Sequence, residues 1–216
     1  MDKKTVQKRG EIMRQRENQL DQSFVYKKLK RELVHRYGKE KACAIWEEAG
    51  ERLRKLETAE PETDKTSRMF TFPAAAIYQA IERYAPGDAL GVTRAYGKQF
   101  GQRVRKIFRR ITALPGVPAL MWKHMDKLAG KMSDGYGTKN MVVTTEECRL
   151  DVISCPICDK AKELGVPEAA QMICCMDKEY MTGIRGMDYR RTKSLAEGDD
   201  CCDYRMRRTG KKSGGF

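Results

Sequence analysis

The sequence predicts an α+β protein, with a helical N-terminal half followed by a ββααββ antiparallel-sheet unit that carries its helices on one face. Two observations carry that expectation. Apolar residues recur every three to five positions up to about Met132, and beyond the glycines at 130, 135 and 137 the period shortens towards two. Six of the eight cysteines gather in three short segments of the later part, at 155 and 158, 174 and 175, and 201 and 202, so the candidate chemistry sits on the sheet unit.

From Glu11 to Tyr37 the residues Ile12, Met13, Leu20, Phe24, Val25, Leu29, Leu33 and Val34 predict one amphipathic helix, closed by Gly38. A second helix over about 39–57 turns Ala42, Ile45, Trp46, Ala49, Leu53 and Leu56 to one side, and Pro61 ends the segment. The pair forms a hairpin whose core takes Cys43 and Trp46. Its apolar content also suits a homodimer. His35 has no catalytic partner nearby in sequence and reads as a surface residue.

Residues 66–88 form a helix with Pro73 near its start and Ala85-Pro86-Gly87 at its end, and Asp88 caps the next. That helix, Ala89 to Ile111, is strongly basic, and the stretch 92–132 holds ten basic side chains against one acidic. Ala119 to Met132 continues as an amphipathic helix on which His124 is structural.

Met141–Thr145 and Arg149–Ser154 read as a strand hairpin, Pro156–Leu164 as a short helix, and Glu168 to about Thr182 as a longer one opened by Pro167. Two more strands follow, Asp188–Leu195 and Cys201–Arg208, across the turn Ala196–Asp200. The organisation is thus a helical hairpin (1–66), a basic helical segment (67–135), the cysteine-rich α+β unit carrying the site (136–208) and a flexible tail (209–216), together one compact domain.

The formal charge of +13 invites nucleic acid as a partner, yet no reading motif accompanies the basic helix, and a packed helix with hydrated cations is the better account. A membrane span needs roughly 20 consecutive apolar residues, which no segment supplies, and Met1 leads into charged sequence rather than an apolar signal core. The expected location is the cytoplasm, where eight cysteines read as free thiols, ligands or catalytic groups rather than a disulfide scaffold.

Cys155 lies where a strand hands over to a helix, immediately before a proline in the first helical position. Free N–H groups and the helix dipole there stabilise a thiolate, which makes Cys155 the candidate nucleophile. Cys158 stands one turn on. With a second half-site from Cys174, Cys175, Cys201 or Cys202, the C-x-x-C could instead hold zinc, although no second C-x-x-C is present. Cys174 and Asp177 share a helix face, bringing thiol and carboxylate together. On the last strand Cys202 and Asp203 alternate, so if Cys202 faces the helices, Asp203 faces away and is structural or solvated.

Cys155-Pro156, Cys174-x-x-Asp177, Arg191-Thr192-Lys193-Ser194-Leu195 and Gly198-Asp199-Asp200-Cys201-Cys202-Asp203-Tyr204-Arg205 together resemble the C-terminal signature of the L-2-amino-thiazoline-4-carboxylic acid hydrolase family, over roughly residues 140–208. A fainter echo lies in Tyr37–Ala42, and the middle basic helices show no counterpart. The resemblance implies hydrolytic opening of a small cyclic amidine, 2-amino-thiazoline-4-carboxylate, to a carbamoyl-cysteine. It implies Cys155 as nucleophile or as ligand of a metal supplying hydroxide, and Asp177 as general base or water-orienting group, with Cys174 and Cys202 completing the site. Arg191 would meet the substrate carboxylate, its alternative being a solvated charge on an exposed strand. No cofactor is fixed by this reading, and zinc is the candidate metal. Its alternative is a small-molecule- or zinc-binding sensor domain, similar in layout to four-vinyl-reductase domains, with Cys155, Cys174, Cys202 and Cys158 as ligands and without turnover.

Overall fold

The computed structural model describes residues 18–210, so the expected helix start at Glu11 and the tail beyond Gly210 lie outside the described residues. The chain divides into two compact units, residues 1–89 and 90–216. Among the described residues no helix is long and apolar enough to cross a membrane.

The first unit is helical: α1 (Gln19–Gln22), α2 (Leu29–Tyr37), α3 (Lys39–Ala59) and α4 (Phe72–Tyr84), the last entered through a π-helical turn at Ser67–Thr71. The single helix expected up to Tyr37 is therefore broken between Ser23 and Lys28. At roughly 100° per residue, Leu20 and Leu29 would lie about 180° apart on a continuous helix. Both are fully buried, and only a break can turn both inward. Ser23 Oγ accepts the N–H of Tyr26 at 3.3 Å to form the turn, and the Tyr26 hydroxyl donates to the Phe70 carbonyl at 2.7 Å. Trp46 is buried as expected, its indole N–H donating to Asp21 at 3.0 Å. Cys43 is only half-buried.

The second unit starts with α5 (Ala89–Ile111), followed by α6 (Val117–Lys123) and α7 (Met125–Met132). The helix expected over 119–132 is interrupted at His124, whose φ of −117° and ψ of 24° leave the helical region. A four-stranded sheet then forms from β1 (Gly137–Val143), β2 (Glu147–Ser154), β3 (Met187–Arg190) and β4 (Cys202–Arg208), in the order β1-β2-β4-β3 with every pair antiparallel. Between β2 and β3 run α8 (Pro156–Glu163) and α9 (Ala170–Met181). The expected ββααββ order is thus the observed one.

Register gives the sheet one inner face. Cys148 pairs with Met206, Leu150 with Tyr204 and Val152 with Cys202, and Tyr189 of β3 also pairs with Met206. Because side chains alternate across a strand, these residues share a face. Six of them, Cys148, Leu150, Val152, Tyr189, Cys202 and Met206, are buried. The opposite face carries Arg149, Asp151, Asp203 and Arg205, with Arg205 paired to Asp151 at 2.7 Å.

α5 presses against α9 through glycines. A Cβ on Gly97 would stand 2.1 Å from the Met172 carbonyl oxygen, and one on Gly101 would stand 2.5 Å from that of Met176. No real Cβ tolerates such separations, so Gly97-x-x-x-Gly101 lets the two backbones touch. This contact fixes the helix that bears Cys174 and Asp177.

Candidate functional site

β2 ends at Ser154 and α8 begins at Pro156, which leaves Cys155 in extended conformation at the helix entrance. Proline suits this place, since its fixed φ is helical and its missing N–H would have been unpaired anyway. The Cys155 thiol is 7% exposed on a residue basis and its pKa is lowered to about 7. The largest cause is a hydrogen bond from the Cys158 side chain; burial opposes it, and the Cys158 and Ile157 N–H groups add to the lowering. A thiol held there is about half ionised near neutral pH.

Cys158 also hydrogen-bonds Cys174, and these contacts together with burial push its own thiol far up, so it stays protonated as the donor. The adjacent pairs resolve clearly. Cys174 meets this cluster and its carbonyl accepts Arg191 Nη2 at 2.9 Å, while the Cys175 thiol is pushed up chiefly by burial, with Arg94 among the charges near it. Cys202 faces inward, accepts the Leu195 N–H at 3.3 Å and has its pKa raised to about 11, chiefly by burial. Cys201 instead lies beside Asp200 and Lys193.

The cluster is bordered by a buried cation. Arg191 is not a solvated strand residue: its side chain is 3% exposed, and it reaches Asp177 Oδ2 at 3.1 Å and the Tyr204 hydroxyl at 3.1 Å. Tyr204 in turn donates to Asp177 Oδ2 at 2.8 Å, and the Arg191 guanidinium lies 5.5 Å from the Tyr204 ring centre. Tyr180, one turn beyond Asp177 on α9, also hydrogen-bonds that carboxylate.

β3 stops at Arg190, four residues instead of the eight expected from Asp188 to Leu195. Asp203 on the outer face explains the early stop. Its carboxylate accepts the N–H groups of Thr192 at 2.8 Å and Lys193 at 2.5 Å and the Thr192 hydroxyl at 2.7 Å, so those amides leave the sheet. Asp199 takes the Ser194 N–H at 2.7 Å. Burial pushes the Asp203 carboxyl up, but these donors hold it below the usual carboxylate range. Asp203 is structural, and its work is to hold the 191–195 segment that places Arg191 and Leu195 at the site.

Several groups at the site were not singled out from sequence. Cys158 was expected only as a candidate zinc ligand; its thiol donates a hydrogen bond to Cys155. Tyr204 follows Cys202 by two on a strand, and Tyr180 follows Asp177 by three on a helix, so periodicity alone could have found both. Tyr136 could not be found that way. It sits between two glycines before β1, and its phenol is pushed up by burial and then by the nearby Cys155, Asp177, Cys174 and Cys158. The Tyr189 hydroxyl and Ser194 Oγ are buried with no hydrogen-bond partner among the described residues, a state that a bound ligand or water would relieve.

Among the described residues no group of three or more His, Cys, Asp or Glu side chains is arranged to hold a metal ion. The chemistry this arrangement offers on its own is that of a thiolate at a helix entrance, with thiol and phenol protons at hand and a rigid Arg-Asp-Tyr wall behind.

The sequence model of the L-2-amino-thiazoline-4-carboxylic acid hydrolase family matches residues 64–206. The chain belongs to that family. For this member of the L-2-amino-thiazoline-4-carboxylic acid hydrolase family, the match extends over α4 and α5, which the short C-terminal motifs did not reach. No curated protein sequence matches the chain. Among solved structures the family member is similar to an H-NOX protein from S. oneidensis in the Fe(II)NO ligation state, at 10% identity over 86% of this chain and 98% of that one, with a TM-score of 0.35. A second structure, from work probing the function of heme distortion in the H-NOX family, matches at 12% identity over 90% and 96%, with a TM-score of 0.31. Likeness at that level carries no argument about ligand.

Proposed function

We propose that the protein hydrolyses a small cyclic amidine of the 2-amino-thiazoline-4-carboxylate type, with Cys155 as the nucleophile. The observation that carries this reading is the Cys155 thiol, lowered to about 7 at the entrance of α8. Membership of a family described as L-2-amino-thiazoline-4-carboxylic acid hydrolases supplies the substrate class.

In this reading the Cys155 sulfur adds to the amidine carbon between the ring sulfur and ring nitrogen, and the carbon–sulfur ring bond breaks. The departing sulfur needs a proton, for which the protonated Cys158 thiol and the Tyr136 phenol are candidate donors. Water then adds to the resulting isothiourea carbon, and the Cys155 thiolate leaves, giving a carbamoyl product and restoring the enzyme. Asp177 is the water-orienting group or base, steadied by Tyr204 and Arg191. Cys174 and Cys202 line the wall. Arg191 is committed to Asp177, Tyr204 and the Cys174 carbonyl, so its contribution to binding a substrate carboxylate is through a fixed positive field rather than a free fork.

A ring-opening assay on 2-amino-thiazoline-4-carboxylate with the wild-type chain and a folded Cys155→Ala variant tests the reading. Turnover by the first and loss in the second is the expected result; undiminished activity in Cys155→Ala would sink the assignment.

A further inference from the structure

The basic stretch of α5 is not used by the thiol site, and two of its arginines line a separate cleft. Arg105 and Arg109, one helical turn apart, line a cleft of about 350 Å³ together with Arg185 from the turn between α9 and β3. None of the residues lining it is acidic. Among the described residues Arg105, Arg109 and Arg185 make no ion pair, in contrast to Arg94, Arg191 and Arg205.

The cleft is held in shape by close backbone contacts. A Cβ on Gly183 would meet the Arg105 carbonyl oxygen at 2.6 Å, so glycine alone permits the turn to approach α5 so closely. The Arg185 N–H donates to the buried Thr112 hydroxyl at 2.9 Å, and that hydroxyl donates to the Phe108 carbonyl at 2.6 Å. Thr209 N–H closes the far side onto the Gly186 carbonyl at 3.0 Å. Three like charges set around a fixed concavity repel one another, and an anion between them reverses the sign of that interaction.

From this we infer that the cleft is a binding site for a small phosphate-bearing anion. Guanidinium groups match phosphate oxygens in a bidentate way, and three of them suit a dianion with oxygens on several sides. The size is that of a small-ligand pocket rather than of a groove tracking a duplex. The site is separate from the thiol cluster and stands or falls independently of the hydrolase reading.

Calorimetric titration of the full chain with inorganic phosphate and with pyrophosphate tests the inference, beside the Arg185→Gln and Arg109→Gln variants, both at exposed positions, and Lys139→Gln on β1 as a control. Saturable one-to-one binding that weakens about tenfold or more in each arginine variant and is unchanged in the control is expected. Binding that fails to saturate, or that weakens equally in Lys139→Gln, would show diffuse charge attraction and overturn the site. So would tight binding of a duplex oligonucleotide that neither phosphate nor pyrophosphate displaces.

Discussion

Arg191 Nη1 lies 3.1 Å from Asp177 Oδ2, with 3% and 19% of the two side chains exposed. A residue from the segment after β3 is thereby locked to one in the middle of α9. Removing either partner strands the other charge in a region of low dielectric, at a cost of about 3–5 kcal/mol. Asp177→Asn and Arg191→Gln should each lower the thermal midpoint strongly. The double variant Asp177→Asn/Arg191→Gln should lose less than the sum of the two, which a mutant cycle by thermal denaturation will measure.

The pKa of about 7 at Cys155 depends first on the Cys158 side chain. Alkylation of Cys155 by iodoacetamide should therefore rise with pH through a midpoint near 7. In Cys158→Ala the donor is lost while burial remains, so the midpoint moves upward. Peptide mapping of the modified thiol by mass spectrometry reads both values, and an unmoved midpoint would contradict the assigned cause.

The Tyr136 phenol is kept protonated by burial and by the nearby Cys155. Tyr136→Phe keeps the ring and removes the proton. If it supplies the proton to the departing sulfur, kcat for ring opening should fall by roughly 10²-fold or more with the fold intact by circular dichroism.

Gly97 and Gly101 bring α5 and α9 into backbone contact. Gly97→Val should force the helices apart and destabilise by roughly 1–3 kcal/mol or more, read as a lower denaturant midpoint. Gly91 on the same helix has nothing within 4 Å of its Cβ position, so Gly91→Ala should leave stability unchanged or raise it.

The Asp203 carboxyl is held below its ordinary value by the Lys193 and Thr192 donors, against burial. A depressed carboxylate pKa contributes stability that is present above the unfolded-state value and is lost as pH falls through the folded one. The 191–195 segment should thus become susceptible to limited proteolysis in acid, below the usual aspartate range. Asp203→Asn should be susceptible already at neutral pH, with little further change on acidification.

Local pattern determined much of this protein. The shift from helical spacing to period two beyond the glycines at 130, 135 and 137 marked the start of the sheet unit, and Cys155 before Pro156 marked the strand-to-helix corner, because both depend on neighbours a few residues away. Alternation on β4 likewise put Cys202 and Asp203 on opposite faces, and the structure decided that Cys202 is the inward one. The broken helix at Ser23–Lys28 was missed because only tertiary burial reveals that Leu20 and Leu29 seek the same core. Arg191 was read as either a substrate ligand or a solvated charge, yet its partners Asp177, Cys174 and Tyr204 come from α9 and β4, and no local rule brings them together. Cys158 gained its role from Cys174, sixteen residues on, and Tyr136 from a fold that brings a glycine-flanked link near the thiols. The sequence by itself determined which residue types and which elements would carry the site. Which thiol donates, which carboxylate is bound and which arginine is buried were decided by the tertiary structure, since each rests on desolvation and on partners distant along the chain.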